Sequence, residues 1–130
     1  MKTAYNRDSV VEIDPGFLKK INENDAGIKL SGHIEEGTRI VIFADGFLDN
    51  RNSSSFTDTI TSITNKSENI NELLLDLSRV TYISSAGIGS LTQILMQTKL
   101  RKIDFYLGNL NKKIKEVIDM LGFTNYFRYC

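Results

Sequence analysis

The residues best placed to do chemistry are two adjacent serines in the stretch Tyr82-Ile83-Ser84-Ser85-Ala86-Gly87-Ile88-Gly89. They follow an apolar strand-like run and open a helical pattern, the place where a helix N-cap belongs. Gly87 and Gly89 let the backbone pack closely at that junction. This pattern permits two readings. In one, a serine hydroxyl caps the helix and does nothing more. In the other, an exposed hydroxyl accepts a phosphoryl group, which free backbone N–H groups and the helix dipole would stabilise. The remaining candidates are weaker. His33 is the only histidine and no cysteine lies near it in sequence, so no metal site or serine–histidine–acid triad is expected. Glu35-Glu36 and the pair Asp45 and Asp49 read as hydrated turns rather than acid–base pairs. Gly87-x-Gly89 lacks the longer dinucleotide fingerprint and its downstream acid. Lys112, Lys113 and Lys115 read as the solvated face of a helix. Nothing here implies an enzyme, a cofactor or a bound metal.

Composition narrows the setting. Sixteen basic residues balance sixteen acidic ones, so no whole-domain field recruits nucleic acid or anionic lipid. The chain has 130 residues, enough for one domain with its own core. The only cysteine is Cys130, which fits a reducing cytosol. The longest apolar runs, such as residues 40–44, fall far short of the ~20 residues of a membrane span. The opening Met1-Lys2-Thr3-Ala4-Tyr5-Asn6-Arg7 lacks the apolar stretch of a signal peptide. A soluble cytoplasmic domain is the expectation.

The elements that must position the serines follow from periodicity. Residues 1–27 are the least patterned part: Val10, Val11 and Ile13 suit a short strand and Phe17, Leu18 and Ile21 a helical turn. The stretch reads as an N-terminal extension of weak structure, with the domain proper over 28–130. Ile28, Leu30 and Ile34 lie in near-alternation, Glu35-Glu36-Gly37 reads as a turn, and residues 38–44 form a strand buried on both faces. Asp45-Gly46 is expected to break that strand. Ser53 caps a helix with Phe56, Ile60 and Ile63 on one side. Residues 73–77 form the next buried strand, and a helix follows from about Ala86 to Leu100. Residues 103–107 are a third strand. Leu110, Ile114, Val117, Ile118 and Leu121 mark the most regular amphipathic helix, stopped by Gly122. The aromatic tail from Phe123 to Tyr129 suits an edge strand. Strand–helix alternation implies right-handed crossovers. The result is an α/β fold: a small mixed sheet, opened by an antiparallel hairpin, with helices mainly on one face.

Three stretches, in order, resemble the STAS domain family, which includes bacterial anti-sigma factor antagonists. Leu73-Leu74-Leu75-Asp76-Leu77-Ser78 through Ser84-Ser85-Ala86-Gly87-Ile88-Gly89 is similar to the family's apolar strand ending in Asp-Leu-Ser, then Asp-Ser-Ser-Gly-Leu-Gly. Asp45-Gly46-Phe47-Leu48-Asp49 resembles its Gly-x-Leu-Asp turn. Leu107-Gly108-Asn109-Leu110, the following helix and Gly122-Phe123 resemble its closing elements. Two positions depart from the pattern: Ser84 stands where the family has aspartate, and Ala86 where it has a second hydroxyl residue.

The resemblance implies an anti-sigma factor antagonist that binds an anti-sigma factor, a kinase of the histidine-kinase ATPase superfamily. That kinase phosphorylates the antagonist and a phosphatase resets it. Alignment on Gly87-x-Gly89 places the phosphorylated serine at Ser85. The implied partner-binding surface comprises Gly46, Phe47, Leu48 and Asp49; Ser84, Ser85, Ala86, Gly87 and Ile88; and Gly108, Asn109 and Asn111. The alternative is a STAS module that does not switch but assembles with itself or other STAS proteins, as in a stressosome-like or transport-associated complex. The missing aspartate at Ser84 supports it.

Overall fold

The computed structural model describes residues 10–24 and 27–130. Among the described residues six strands form one sheet in the sequential order β1-β2-β3-β4-β5-β6. The strands are β1 (Val10–Glu12), β2 (Ile28–Glu35), β3 (Arg39–Leu48), β4 (Glu72–Ile83), β5 (Asp104–Gly108) and β6 (Arg128–Tyr129). The helices are α1 (Pro15–Glu23), α2 (Ser53–Lys66), α3 (Ser85–Leu100) and α4 (Lys112–Met120). β1, β2 and β3 are antiparallel, whereas β3, β4, β5 and β6 run parallel. The β2–β3 hairpin closes at Glu36 and Gly37, whose φ angles of 53° and 71° give the left-handed turn that matches strand twist.

All four helices bury apolar residues in one cluster against one side of the sheet. Leu18 and Ile21 of α1, Phe56 and Ile60 of α2, Leu91 and Ile94 of α3 and Ile114 and Ile118 of α4 meet Ile40, Ile42, Leu73, Leu75, Phe105 and Leu107. The mixed sheet with helices packed mainly on one face is therefore as expected. The opposite side explains a difference. Residues 40–44 were expected to be buried on both faces, yet Phe43 is 38% exposed. No helix among the described residues covers its side. Val41 lies between its register partners His33 and Leu74, whereas the register partners of Phe43 are the smaller Ser31 and Asp76, with the His33 ring 5.9 Å away on one flank.

Four further expectations change. Residues 10–23 hold the short strand and the helical turn expected there, but as firmly placed elements. Asp14 caps α1 through Gly16 N–H at 2.9 Å, Pro15 starts it, and Asn22 clamps Leu30 by both backbone groups at 2.7 and 2.8 Å. Residues 1–9 of the expected extension lie outside the described residues. Asp45-Gly46 does not end β3; the strand passes through them with register shifts on either side. Gly46 has φ of 127°, and a Cβ there would sit 2.1 Å from Gly27 O, so only glycine fits. β4, expected over residues 73–77, continues to Ile83 because the extended β3 pairs with it as far as Leu48. The N-cap of α2 is Asn52, and Ser53 is the first helical residue rather than the cap.

A helix corner with one free hydroxyl

The long β3–β4 pairing delivers the start of α3 to the C-terminal edge of the parallel strands. Ser84 N donates to Leu48 O at 3.0 Å, which fixes the corner through its backbone. Gly87 then packs directly on β3: a Cβ there would lie 2.5 Å from Leu48 O and 2.6 Å from Ile83 Cγ1. The glycine is needed for close approach, as its position in the sequence suggested.

The two serines divide the roles that the sequence left open. Ser84 is the N-cap; its Oγ accepts from Gly87 N at 3.3 Å and its carbonyl accepts from Ile88 N at 2.9 Å. Ser85 is the first helical residue, exposed, and its hydroxyl makes no hydrogen bond among the described residues. The first turn of α3 contains no acidic residue. Helix starts leave backbone N–H groups unpaired and carry partial positive charge. An anion added at Ser85 meets a favourable field. Ala86 is half-buried beside it.

The preceding loop is held rigid by its own side chains. Asp49 accepts from Arg51 N at 2.9 Å, Nε at 3.1 Å and a terminal nitrogen at 2.9 Å. The Arg51 hydrogen bond holds the Asp49 carboxyl below the usual carboxylate range. The Arg51 guanidinium also lies 4.3 Å from the centre of the Phe47 ring. Asn52 bridges the loop, accepting from Asp49 N at 3.0 Å and donating to Phe47 O at 2.8 Å. Of the two acids expected in hydrated turns, Asp45 is exposed and lies 3.9 Å from Arg79, whereas Asp49 is buried.

The third stretch joins the same region through β4. Asn111 caps α4, accepting from Ile114 N at 2.9 Å, and its amide donates to Val80 O at 2.7 Å. Val80 in turn pairs with Gly46. Asn109 has φ of 51° and donates to Asp76 at 2.8 Å. Asp76 is 6% exposed and also accepts from Ser78 N and Oγ at 2.9 and 2.7 Å. Burial alone would raise its pKa, but the bonds from Ser78 and Asn109 outweigh it and hold the group below its ordinary value. Gly108 is buried against Leu74.

All three expected stretches thus meet along residues 80–84. Two of their residues are corrected. Leu48 is 0% and Ile88 1% exposed, because both point into the core. They support the surface from below. Sequence reading also passed over Arg51, Asn52 and Asp76, polar residues whose role depends on contacts, and a groove of about 500 Å³ between α2 and α3. Ser54, Thr57, Ala86, Gly89 and Gln93 line that groove, and Ser90 joins the helices through Thr57 Oγ1 at 2.6 Å and Ser53 O at 3.1 Å. The small residues Ala86, Gly89 and Ser90, at spacings of three and four, were its visible sign.

Residues 29–129 match the model of the STAS domain family. The chain belongs to that family. Solved structures agree in fold. A Mycobacterium paratuberculosis anti-sigma factor antagonist superposes with a TM-score of 0.65 at 18% identity, covering 81% of this chain and 86% of that one. The Bacillus cell fate determinant SpoIIAA in its phosphorylated form gives 0.58 at 16% identity, covering 78% and 90%. A sulfate transporter family protein from Wolinella succinogenes gives 0.59 at 15% identity, covering 72% and 75%. STAS domains thus occur in both antagonist and transporter settings, so the fold leaves the setting of this STAS domain to its site.

Proposed function

We propose that this STAS domain is a cytoplasmic anti-sigma factor antagonist working as a phosphorylation-controlled partner switch. One observation carries the reading: Ser85 presents a free, exposed hydroxyl at the start of α3, while Ser84 alone performs the cap. The partner is an anti-sigma factor kinase of the histidine-kinase ATPase superfamily, and a phosphatase restores the hydroxyl. The nucleotide and the groups that transfer its phosphoryl belong to the partner; the domain itself is not an enzyme. The docking surface is formed by Phe47, Asp49, Ser84, Ser85, Ala86, Asn109 and Asn111, with Gly46, Gly87 and Gly108 shaping the backbone beneath.

A phosphoryl group adds roughly −1.5 to −2 charge at pH 7. Within the free domain the helix dipole tolerates that charge, worth ~0.3–1 kcal/mol. A partner surface shaped for a neutral hydroxyl must instead desolvate it, and that penalty dominates. Ser85→Asp should therefore fold normally and bind the partner at least about tenfold more weakly, a loss of ~1.4 kcal/mol. Mass spectrometry after incubation with kinase and ATP should find phosphate on the native chain and on Ser84→Ala, and none on Ser85→Ala. Phosphate confined to Ser84 would move the site by one residue.

A second reading has its own support. Ser84 stands where the family pattern has an aspartate, which fits a STAS module that assembles with itself or with other STAS proteins without switching. A stable multi-protein assembly with no phosphate turnover on Ser85 would favour it.

A further inference from the structure

The far end of α3 carries a feature that the partner switch does not use. Met96 and Leu100, one turn apart on the helix, are 66% and 82% exposed. Lys99 lines the shallow depression between them. Arg101 and Lys102 follow immediately and are exposed. Arg101 donates to Asn65 at the end of α2, whose last residue, Lys66, holds its ammonium over the Phe17 ring of α1, 5.4 Å from the ring centre. Across residues 65–68 and 96–103 there are four cations, Lys66, Lys99, Arg101 and Lys102, against one acid, Glu68. The next acid along the chain, Asp104, is paired with Arg128 at 2.9 Å. α3 itself contains no acidic residue.

Cations at helix C-termini are stabilised by the dipole, which accounts for part of the charge. It does not account for two large apolar side chains held out in water beside them. Two protruding side chains are also too little for a stable protein interface, which buries about 800 Å² on each partner. They suffice for a peripheral lipid contact, in which one or two apolar side chains enter the headgroup boundary and lysines stay at the anionic surface. No helix among the described residues is long and apolar enough to cross a membrane, so the contact would be superficial.

We propose that the Met96–Leu100 end of α3, with Lys99, Arg101 and Lys102, is a docking surface for an anionic membrane. At 1.5 Å per residue it lies about 20 Å along the helix from Ser85. Membrane contact and partner docking at Ser85 are therefore compatible, and this proposal stands apart from the switch.

Flotation with vesicles tests it. The full chain should float with phosphatidylcholine vesicles containing phosphatidylglycerol at low salt and remain unbound with phosphatidylcholine alone. Binding should fall at least tenfold at high salt, where the Debye length shrinks to a few ångströms. Met96→Gln with Leu100→Gln, and separately Lys99→Glu with Lys102→Glu, should each weaken binding at least tenfold with unchanged circular dichroism. Ser85→Asp should float like the native chain. The proposal is overturned by equal binding, or none, to both vesicle types. It is also overturned if the Met96 and Leu100 changes leave flotation untouched, or if those residues instead prove to hold a dimer in sedimentation velocity.

Discussion

α3 and α4 start at neighbouring corners of the same sheet edge, each after a parallel strand and each with a polar cap. They are held in opposite ways. The α3 corner is fixed by backbone: Ser84 N on Leu48 O, and Gly87 against the same carbonyl. The α4 corner is fixed by side chains, with Asn111 reaching Val80 O and Asn109 reaching Asp76. Beyond the caps, α3 presents a neutral Ser85, whereas α4 presents exposed Lys112 and Lys113. A corner anchored through its backbone leaves its first side chain free to change charge without loosening the fold. A corner anchored through its side chains has none to spare. That difference makes Ser85 suited to modification and Asn109 and Asn111 suited to shaping a fixed surface.

The largest effect should come from breaking what the two corners share. Leu75 is 0% exposed in β4, the strand from which both corners are hung. Leu75→Asp buries an unpaired carboxylate and removes apolar contacts, which together cost several kcal/mol against a whole-domain stability of ~5–15 kcal/mol. We expect the variant to be unfolded or molten by circular dichroism and urea titration. A native-like transition would mean that β4 does not carry the core.

A smaller loss should separate the side-chain-anchored corner from its neighbour. Asp76→Asn replaces the ionised acceptor and sets an amide donor against that of Asn109. Hydrogen bonds to charged groups contribute ~1.5–3 kcal/mol each, so a loss of about 2 kcal/mol at pH 7 is expected. The sign with pH follows from the lowered folded-state pKa. Stability from this carboxylate is present above its unfolded value near 3.9 and is lost as pH falls through and below it. The gap between the two proteins should therefore be full at neutral pH and narrow below about pH 4. A gap unchanged at pH 3 would show that ionisation of Asp76 contributes nothing.

Both corners were only partly legible in the sequence. Helices α2 to α4 and the core of β3 to β5 follow from apolar spacing, because each buries a single face. The ends of β3 and β4 do not. Gly46 carries a strong break signal, yet its positive φ and close approach to Gly27 belong to a strand that bulges and continues. α1 was legible only as a turn: Phe17, Leu18 and Ile21 mark its buried side, whereas Asn22 clamping Leu30, a polar contact between residues eight apart, leaves no periodic trace. At the site, the motif located the right stretch without separating its inward residues from its outward ones. Yet Leu48 keeps the parity of Ile40, Ile42 and Ala44, and Ile88 shares the buried side of α3 with Leu91 and Ile94.

The finest comparison lies within the α3 corner itself, between two serines one residue apart. Ser84→Ala removes the oxygen that accepts from Gly87 N. Loss of an N-cap costs ~0.5–2 kcal/mol, typically about 1. The 3.3 Å length of this bond and the independent anchor from Ser84 N to Leu48 O place the expected loss in the lower half of that range. Ser85→Ala removes a hydroxyl that has no partner among the described residues and sits exposed at the first helical position. Alanine is also the better helix former. Its effect should stay within about 0.5 kcal/mol of the native chain, as for surface changes generally. Paired urea titrations of the two variants read the difference directly, since midpoints shift at constant slope when only stability changes. The two roles are reversed if Ser85→Ala is the more destabilised protein, for then Ser85 would be the cap and Ser84 the free hydroxyl.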